Sequence, residues 1–149
     1  MGVLWAVNHG LGSLSKIMNA TLGVTGPQRL VVRIVGHMPG VSAGRLAAIL
    51  RVHPSTLTGV LRRLAARGLI TREADALDGR RALFHLTALG SSIDRLRSGT
   101  VEAAISKALR GFTEGEARGA ERILSAIAGC LEREARRAQA SRRPKRRAR

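Results

Sequence analysis

Several residue types are scarce in this chain of 149 residues, and each scarcity excludes a class of protein. The single cysteine, Cys130, rules out an internal disulfide. Two phenylalanines, one tryptophan and no tyrosine are too few aromatic rings for a base-stacking surface that binds single-stranded nucleic acid. One cysteine and four scattered histidines show no metal-ligand spacing, so we expect no metal and no other cofactor.

The chain also lacks the apolar runs that mark targeting and membrane segments. Its first sixteen residues have neither the charged start nor the long apolar stretch of a signal peptide. No uninterrupted run of about twenty apolar residues follows. We therefore expect a cytoplasmic protein without a membrane segment.

Acidic residues are missing from the first half of the chain. Residues 1–72 carry nine basic residues and no carboxylate, whereas residues 73–135 carry nine basic and ten acidic residues. From residue 136 to the end there are eight basic residues and no acid. Basic residues also solubilise surfaces, but a solubilising role does not exclude acids from half of a chain. The net charge of +16 therefore predicts a polyanionic partner, either nucleic acid or an acidic membrane surface.

Apolar residues recur at helical spacing near the start of the chain. The first series predicts a helix over residues 1–22 that packs against a partner helix. Thr25 and Gln28 can form a capping box that starts a second helix, with Pro27 in its first turn. The apolar seam of the first helix consists of Leu4, Val7, Leu11, Leu14 and Met18, and the residues expected to face inward in the second helix are Leu30, Val31, Ile34, Val35 and Met38.

Two short helices joined by a tight turn are predicted next. Ser42 is a suitable N-cap for the first, and Pro54 suits the first turn of the second. The second helix has one apolar face, consisting of Leu57, Val60, Leu61 and Leu64. This layout is that of a helix-turn-helix, whose second helix enters the major groove of DNA.

The opposite face of this second helix has the residue types that DNA recognition requires. Small residues allow close approach, hydroxyl groups bond to bases or phosphates, and arginines reach guanine edges or the backbone. An ordinary solvated face would mix both signs of charge, and this one has no carboxylate. The contacts predicted from the two helices are Ser42, Arg45, Pro54, Ser55, Thr56, Thr58, Arg62 and Arg63.

A β-hairpin is predicted directly after the helix-turn-helix, where it would form a wing. Gly68 ends the helix, residues 69–73 form the first strand, and residues 82–86 alternate apolar with other side chains. At the tip, one of Arg80 and Arg81 can enter the narrow minor groove while the other holds a phosphate. We expect the acidic Asp78 to bond to the turn backbone or to pair with a nearby arginine.

Three stretches of the chain resemble the winged helix-turn-helix of MarR-family transcriptional regulators. They are GVTGPQRLVVRIV, SAGRLAAILRVHPSTLTGVLRRLAARGLITRE and DGRRALFHLTALG, and they cover residues 23–90. The family pattern for the wing is Asp-x-Arg followed by Leu-Thr-x-x-Gly. Those positions are occupied by Asp78, Arg80, Leu86, Thr87 and Gly90. The resemblance implies that Arg80 enters the minor groove and that the helix beginning near Pro54 enters the major groove.

The rest of the chain is predicted to be helical. Thr87 can cap one long helix, and residues 113–116 have the pattern of a capping box for the last helix. The apolar stripes of these two helices consist of Leu89, Ile93, Leu96, Val101, Ile105 and Leu109, and of Ala117, Ala120, Leu124, Ile127 and Leu131.

The predicted fold class is mainly α with a small β wing, a winged helix-turn-helix flanked by N- and C-terminal dimerisation helices. The N-terminal dimerisation helix covers residues 1–22, and the DNA-binding lobe covers residues 23–87. C-terminal dimerisation helices follow at residues 88–137. Residues 138–149, which lack apolar content, form a basic disordered tail.

The resemblance implies a ligand-responsive repressor that binds a palindromic operator in double-stranded DNA as a homodimer. Members of the family often bind a small-molecule effector between the dimerisation helices and the lobe. In this chain that region would include Trp5, His9, Arg33 and His37. The alternative prediction is a non-specific architectural protein that binds nucleic acid only through its charge.

One motif would indicate an enzyme. Residues 40–44, GVSAG, match the nucleophile elbow of hydrolases, in which Ser42 would attack a substrate. An elbow must follow a buried parallel strand, whereas the preceding segment has a helical cap and helical period. We therefore interpret Ser42 as a helix cap and expect no enzymatic activity.

Overall fold

The computed structural model describes residues 1–141, which form helices and one small antiparallel sheet. In chain order the elements are α1 (Gly2–Leu22), α2 (Gly26–His37), β1 (Val41–Ser42), α3 (Ala43–Leu50), α4 (Pro54–Ala66), β2 (Ile70–Ala74), β3 (Ala82–Leu86), α5 (Ala88–Arg95), α6 (Val101–Leu109) and α7 (Glu114–Ser141). The chain divides into two compact units, residues 1–104 and the residues from 105 onward. None of the helices within the described residues is long and apolar enough to cross a membrane.

Helix α2 begins with the predicted capping box. The hydroxyl of Thr25 accepts the N–H of Gln28 at 3.4 Å, and the Gln28 side chain accepts the N–H of Thr25 at 3.0 Å. The inward face was predicted only in part, because Leu30 and Met38 are 44% and 38% exposed. The buried stripe is instead Gln28, Val31, Val32 and Val35. Its i, i+3, i+4, i+7 spacing is that of one helix face, and Leu30 lies on the opposite side.

The core of the first unit lies between α2, α3, α4 and the sheet. Its buried side chains include Val31, Val35, Leu46, Leu57, Leu61, Leu64, Ile70 and Phe84. The strand order is β1-β3-β2, with Val41 opposite Phe84 and Ile70 opposite Leu86. The predicted hairpin is therefore confirmed. The two-residue strand β1 was not predicted, because it is too short to show an alternating pattern.

Helix α5 starts where the backbone passes very close to the end of α4. The Thr87 hydroxyl donates to the carbonyl of Gly68 at 2.6 Å and accepts the N–H of Gly90 at 3.0 Å. A Cβ atom on Gly90 would lie 1.9 Å from the Leu69 carbonyl oxygen. The Leu-Thr-x-x-Gly pattern thus joins the wing to α5, since only glycine fits this approach.

The prediction of one long helix after the wing was wrong, because α5 and α6 are separate helices. The side chain of Arg29 in α2 is 1% exposed and donates to the carbonyls of Ile93 and Leu96 at the end of α5. Its Nε also lies 3.3 Å from a carboxylate oxygen of Glu102 in α6. Thr100 then caps α6 by accepting the N–H of Ala103 at 3.2 Å. Arg29 therefore satisfies the carbonyls that the interruption leaves open.

Helix α7 begins with the predicted capping box and is longer than expected. Thr113 and Glu116 exchange backbone-to-side-chain hydrogen bonds of 2.8 and 3.3 Å. The helix continues to Ser141, so the first residues of the segment 138–149 are helical rather than disordered. The remainder of that predicted tail lies outside the described residues. Two side chains expected to face inward, Leu124 and Leu131, are 56% and 66% exposed.

Candidate nucleic-acid interface

Helix α4 is joined to α3 by a tight turn at residues 51–53. Arg51 adopts a left-handed conformation with φ of 51°, which ends α3. Pro54 occupies the first turn of α4, as predicted. His53 caps α4, because its Nδ1 accepts the N–H of Ser55 at 3.3 Å. This cap was not predicted from the sequence, where its signal is a hydrogen-bonding side chain directly before a proline.

The apolar face of α4 is buried and its polar face is exposed, as predicted. Leu57, Leu61 and Leu64 are at most 5% exposed and anchor the helix in the core. The exposed residues include all the predicted contacts of this helix, namely Pro54, Ser55, Thr56, Thr58, Arg62 and Arg63. The half-buried Gly59 lies on the same face, where an added Cβ would contact only Arg63, at 3.6 Å. A partner can therefore approach this side of α4 closely.

Two of the three hydroxyl groups of α4, those of Ser55 and Thr58, form short local hydrogen bonds. Ser55 Oγ lies 2.8 Å from His53 Nδ1. Thr58 Oγ1 donates to the carbonyl of Pro54 at 2.9 Å. These bonds fix the orientation of both hydroxyl groups before any partner binds.

Two further predicted contacts lie at the start of α3. Ser42 is half-buried, and its hydroxyl accepts the N–H of Arg45 at 3.3 Å, so it caps α3 as expected. The Arg45 side chain is exposed. Ser42 thus fixes the start of α3, and Arg45 extends from its first turn.

The tip of the wing is held by its two aspartates. Asp78 Oδ1 accepts the N–H of Arg80 at 3.1 Å, which is the bond to the turn backbone that we expected. Asp75 Oδ1 accepts the N–H of Leu77 at 2.9 Å, and Asp75 Oδ2 lies 3.8 Å from Arg81 Nε. The pairing carboxylate for Arg81 is therefore Asp75. Arg80 is exposed.

Positive charge on these elements is not neutralised within the described part of the chain. Residues 1–72 contain no carboxylate. Between residues 1 and 141, no carboxylate oxygen lies within 4.0 Å of the guanidinium groups of Arg45, Arg62, Arg63 or Arg80. Such a surface attracts polyanions.

The four residues predicted near an effector site lie in two pairs on α1 and α2. Trp5 and His9 stack with ring centroids 5.2 Å apart and planes 11° apart. Arg33 donates to Asp94 Oδ1 at 2.9 Å, and His37 Nδ1 lies 2.8 Å from the Arg33 carbonyl oxygen. Arg33 is thus already paired with a carboxylate, whereas Trp5 is 68% exposed.

The comparison with known proteins decides the family. Residues 22–81 match the family model described as the MarR family. An HTH-type transcriptional repressor of Mycobacterium tuberculosis is 31% identical over 106 residues, which are 71% of this chain and 76% of that relative. The chain belongs to the MarR family. It is a MarR-type transcriptional regulator, and the MarR family consists of transcriptional regulators rather than enzymes.

Solved structures have the same fold as this MarR-family chain. MepR of S. aureus, solved in a complex with DNA, matches with a TM-score of 0.72 and 19% identity, over 87% of this chain and 95% of that one. PcaV of Streptomyces coelicolor, solved with its natural ligand, matches with a TM-score of 0.72 and 22% identity, over 87% and 91%. The predicted fold class, a mainly helical winged helix-turn-helix, is thereby confirmed.

Proposed function

We propose that this MarR-family regulator is a sequence-specific repressor that binds a palindromic operator as a homodimer and responds to a small molecule. One observation carries the proposal: the exposed face of α4 is small, hydroxylated and basic, and no carboxylate within residues 1–141 neutralises its arginines. A helix of this composition fits the major groove of double-stranded DNA.

The helix-turn-helix contacts divide into base-reading and backbone-binding residues. Ser55, Thr56 and Thr58 lie near the N-terminal end of α4, the end that contacts base edges in helix-turn-helix proteins. Arg62 and Arg63 bind guanine edges or phosphates, and Pro54 packs at the start of the helix. The remaining predicted contacts are Ser42, the N-cap of α3, and Arg45 in its first turn, and α3 is the helix that crosses the DNA backbone.

The wing supplies a second set of contacts. Arg80 has no carboxylate partner among residues 1–141 and enters the minor groove, whose narrow form attracts arginine. Arg81 holds a phosphate, which replaces its long contact with Asp75. The Asp78 carboxylate stays on the turn backbone and fixes the approach of Arg80.

A homodimer accounts for the apolar surface of the terminal helices. In α1, Val3, Trp5, Val7 and Ile17 are between 54% and 78% exposed, and in α7, Ile123, Leu124 and Leu131 are between 56% and 66% exposed. On each of these helices, exposed apolar surface of this kind marks an interface. A second copy of the chain covers it, and the two-fold symmetry of such a dimer matches a palindrome whose half-sites lie about one DNA turn apart.

Repression and an effector are supported by the relatives. The M. tuberculosis relative is a repressor by name, and PcaV was solved with a natural ligand. In this chain the effector would contact Trp5, His9, Arg33 and His37, and an anionic ligand could replace Asp94 at Arg33. We propose a cytoplasmic location for this repressor, where its operator DNA is found.

Selection of binding sites from random duplex DNA at near-physiological salt tests this function. A chain ending at Ser141 keeps all of α7 and removes the basic residues of 142–149, so that non-specific binding does not dominate. The expected result is an inverted repeat with half-sites about one turn apart. Tight, salt-dependent binding without any enriched sequence would instead support a non-specific architectural protein. Sedimentation of the same chain tests the dimer, which Leu124→Glu should weaken.

A further inference from the structure

Two hydroxyl groups on the exposed face of α4 already donate their hydrogens within the chain. The backbone N–H of Ser55 points at His53 Nδ1 at 3.3 Å, and because an N–H group only donates, this nitrogen must be the unprotonated acceptor of the ring. Ser55 Oγ lies 2.8 Å from the same nitrogen, so its hydroxyl is also a donor to His53. The Thr58 hydroxyl donates to the Pro54 carbonyl at 2.9 Å.

A hydroxyl group whose hydrogen is already used in one hydrogen bond can only accept a hydrogen bond from a further partner. Phosphate oxygens, guanine N7 and O6 and thymine O4 are acceptors, so neither hydroxyl can bond to them in this arrangement. The hydrogen-bond donors that DNA presents in the major groove are the exocyclic amino groups, N6 of adenine and N4 of cytosine. Ser55 and Thr58 are therefore complementary to amino groups.

We propose that Ser55 and Thr58 recognise exocyclic amino groups of adenine or cytosine, and that His53 is a positioning residue that gives Ser55 this polarity. The inference rests on the proposed function, since it assumes that α4 lies in the major groove. It also assigns different base atoms to the two kinds of side chain. The arginines of α4, which only donate, bind acceptor atoms of the bases, and the two hydroxyl groups accept from the donor amino groups.

The first step of the test finds the base pair that Ser55 reads. Operator selected by the full-length parent chain is compared with operator selected by Ser55→Ala, a change that leaves the His53 bond to the Ser55 N–H in place. The operator position at which the variant no longer prefers one base pair is the position that Ser55 contacts. Thr58→Val, which keeps the side-chain shape, identifies the Thr58 contact in the same way. Ser92→Ala is the matched control, because it removes an exposed hydroxyl of α5 that also donates within its own helix.

The second step removes single atoms from that base pair. Unsubstituted purine in place of adenine, or pyrimidin-2-one in place of cytosine, removes only the amino group, and a 7-deazapurine removes only the N7 acceptor. For the parent, loss of the amino group should weaken binding about tenfold, and for Ser55→Ala it should cause little further loss. Loss of N7 should weaken the parent and Ser55→Ala equally. This double-mutant cycle separates the hydrogen bond from any effect on base pairing.

A third variant, His53→Gly, tests the positioning role. Glycine is tolerated at an N-cap, and it frees the Ser55 hydroxyl to rotate and donate. The coupling between Ser55 and the amino group should then fall, while helix content, followed by circular dichroism, stays the same. Unchanged coupling would show that His53 does not set the polarity.

The outcomes distinguish this inference from the function on which it rests. The inference would be overturned if Ser55 is coupled to N7, or if neither Ser55→Ala nor Thr58→Val loses a base preference. In both cases the proposed function, a sequence-specific repressor, would still stand. If the parent enriches no sequence at all, the proposed function itself is wrong, and the inference is refuted with it.

Discussion

The predicted DNA-binding lobe, residues 23–87, and helix α7 expose different kinds of surface. The lobe buries its apolar core, with Leu46, Leu57 and Leu64 at most 2% exposed, but leaves arginines such as Arg62 and Arg80 without carboxylate partners among the described residues. In α7 the apolar Leu131 is 66% exposed, whereas arginines pair with glutamates of the same helix. The chain therefore separates a surface with exposed, unneutralised arginines from one with exposed apolar side chains.

This separation is consistent with the partner proposed for each region. A lobe with a closed core and exposed arginines can meet a polyanion without rearranging, because its fold does not depend on those exposed arginines. Helix α7 carries five glutamates and five arginines, so its net charge attracts no polyanion, and its exposed leucines gain free energy only from an apolar surface. These differences support the proposal that DNA binds the lobe and that a second copy of the chain covers the terminal helix.

The largest effect that this comparison predicts is the loss of stability when a core side chain of the lobe is removed. Leu64→Ala removes a side chain that is 0% exposed and should lower the free energy of unfolding by about 2–5 kcal/mol. Leu131→Ala is the matched control in α7, and in dilute, monomeric protein it should cost far less. Urea denaturation of both variants measures the difference. Similar losses at low concentration would show that Leu131 is buried within the monomer.

A somewhat smaller loss is expected at Arg29, the buried arginine that joins α2 to α5 and α6. Arg29→Met keeps most of the volume but leaves two carbonyls and the Glu102 carboxylate without their donor, so the fold should lose about 3 kcal/mol. Glu102→Gln keeps an acceptor for Arg29 and should cost less. Amide hydrogen exchange near Thr100 locates the damage, and protection unchanged there would contradict the role given to Arg29.

Arg29 also shows why the sequence predicted the lobe better than the helices after it. The order of elements in the lobe followed from local signals, such as the Thr25 cap and the apolar face of α4. The break between α5 and α6 depends on bonds from Arg29 to residues more than sixty positions away, which no local pattern reveals. His53 was missed for a different reason, because an imidazole cap has no strong sequence signature. The DNA contacts remain predictions, since they depend on a partner that lies outside the chain.

Removing one unpaired arginine from the wing should affect binding and leave the fold intact. Arg80→Ala should weaken binding to a selected operator by about 1–3 kcal/mol if Arg80 contacts a base edge. Arg118→Ala, which removes an arginine paired with Glu114 in α7, should change the affinity by less than about twofold. Titration of labelled operator at fixed salt measures both. Equal affinities for parent and Arg80→Ala would remove the wing from the interface.

The smallest effect concerns the two capping boxes, one in each compact unit. The box of α2 uses the neutral Gln28, whereas the box of α7 uses Glu116, whose pKa is lowered by hydrogen bonds from the side chain and backbone of Thr113. Since the lowered pKa favours the carboxylate, the stabilisation is present above the ordinary glutamate range and is lost as the pH falls through the lowered value. Acid should therefore loosen the first turn of α7 but not that of α2, as amide exchange across pH would show. Glu116→Gln should abolish this difference, because a neutral amide in that position no longer titrates.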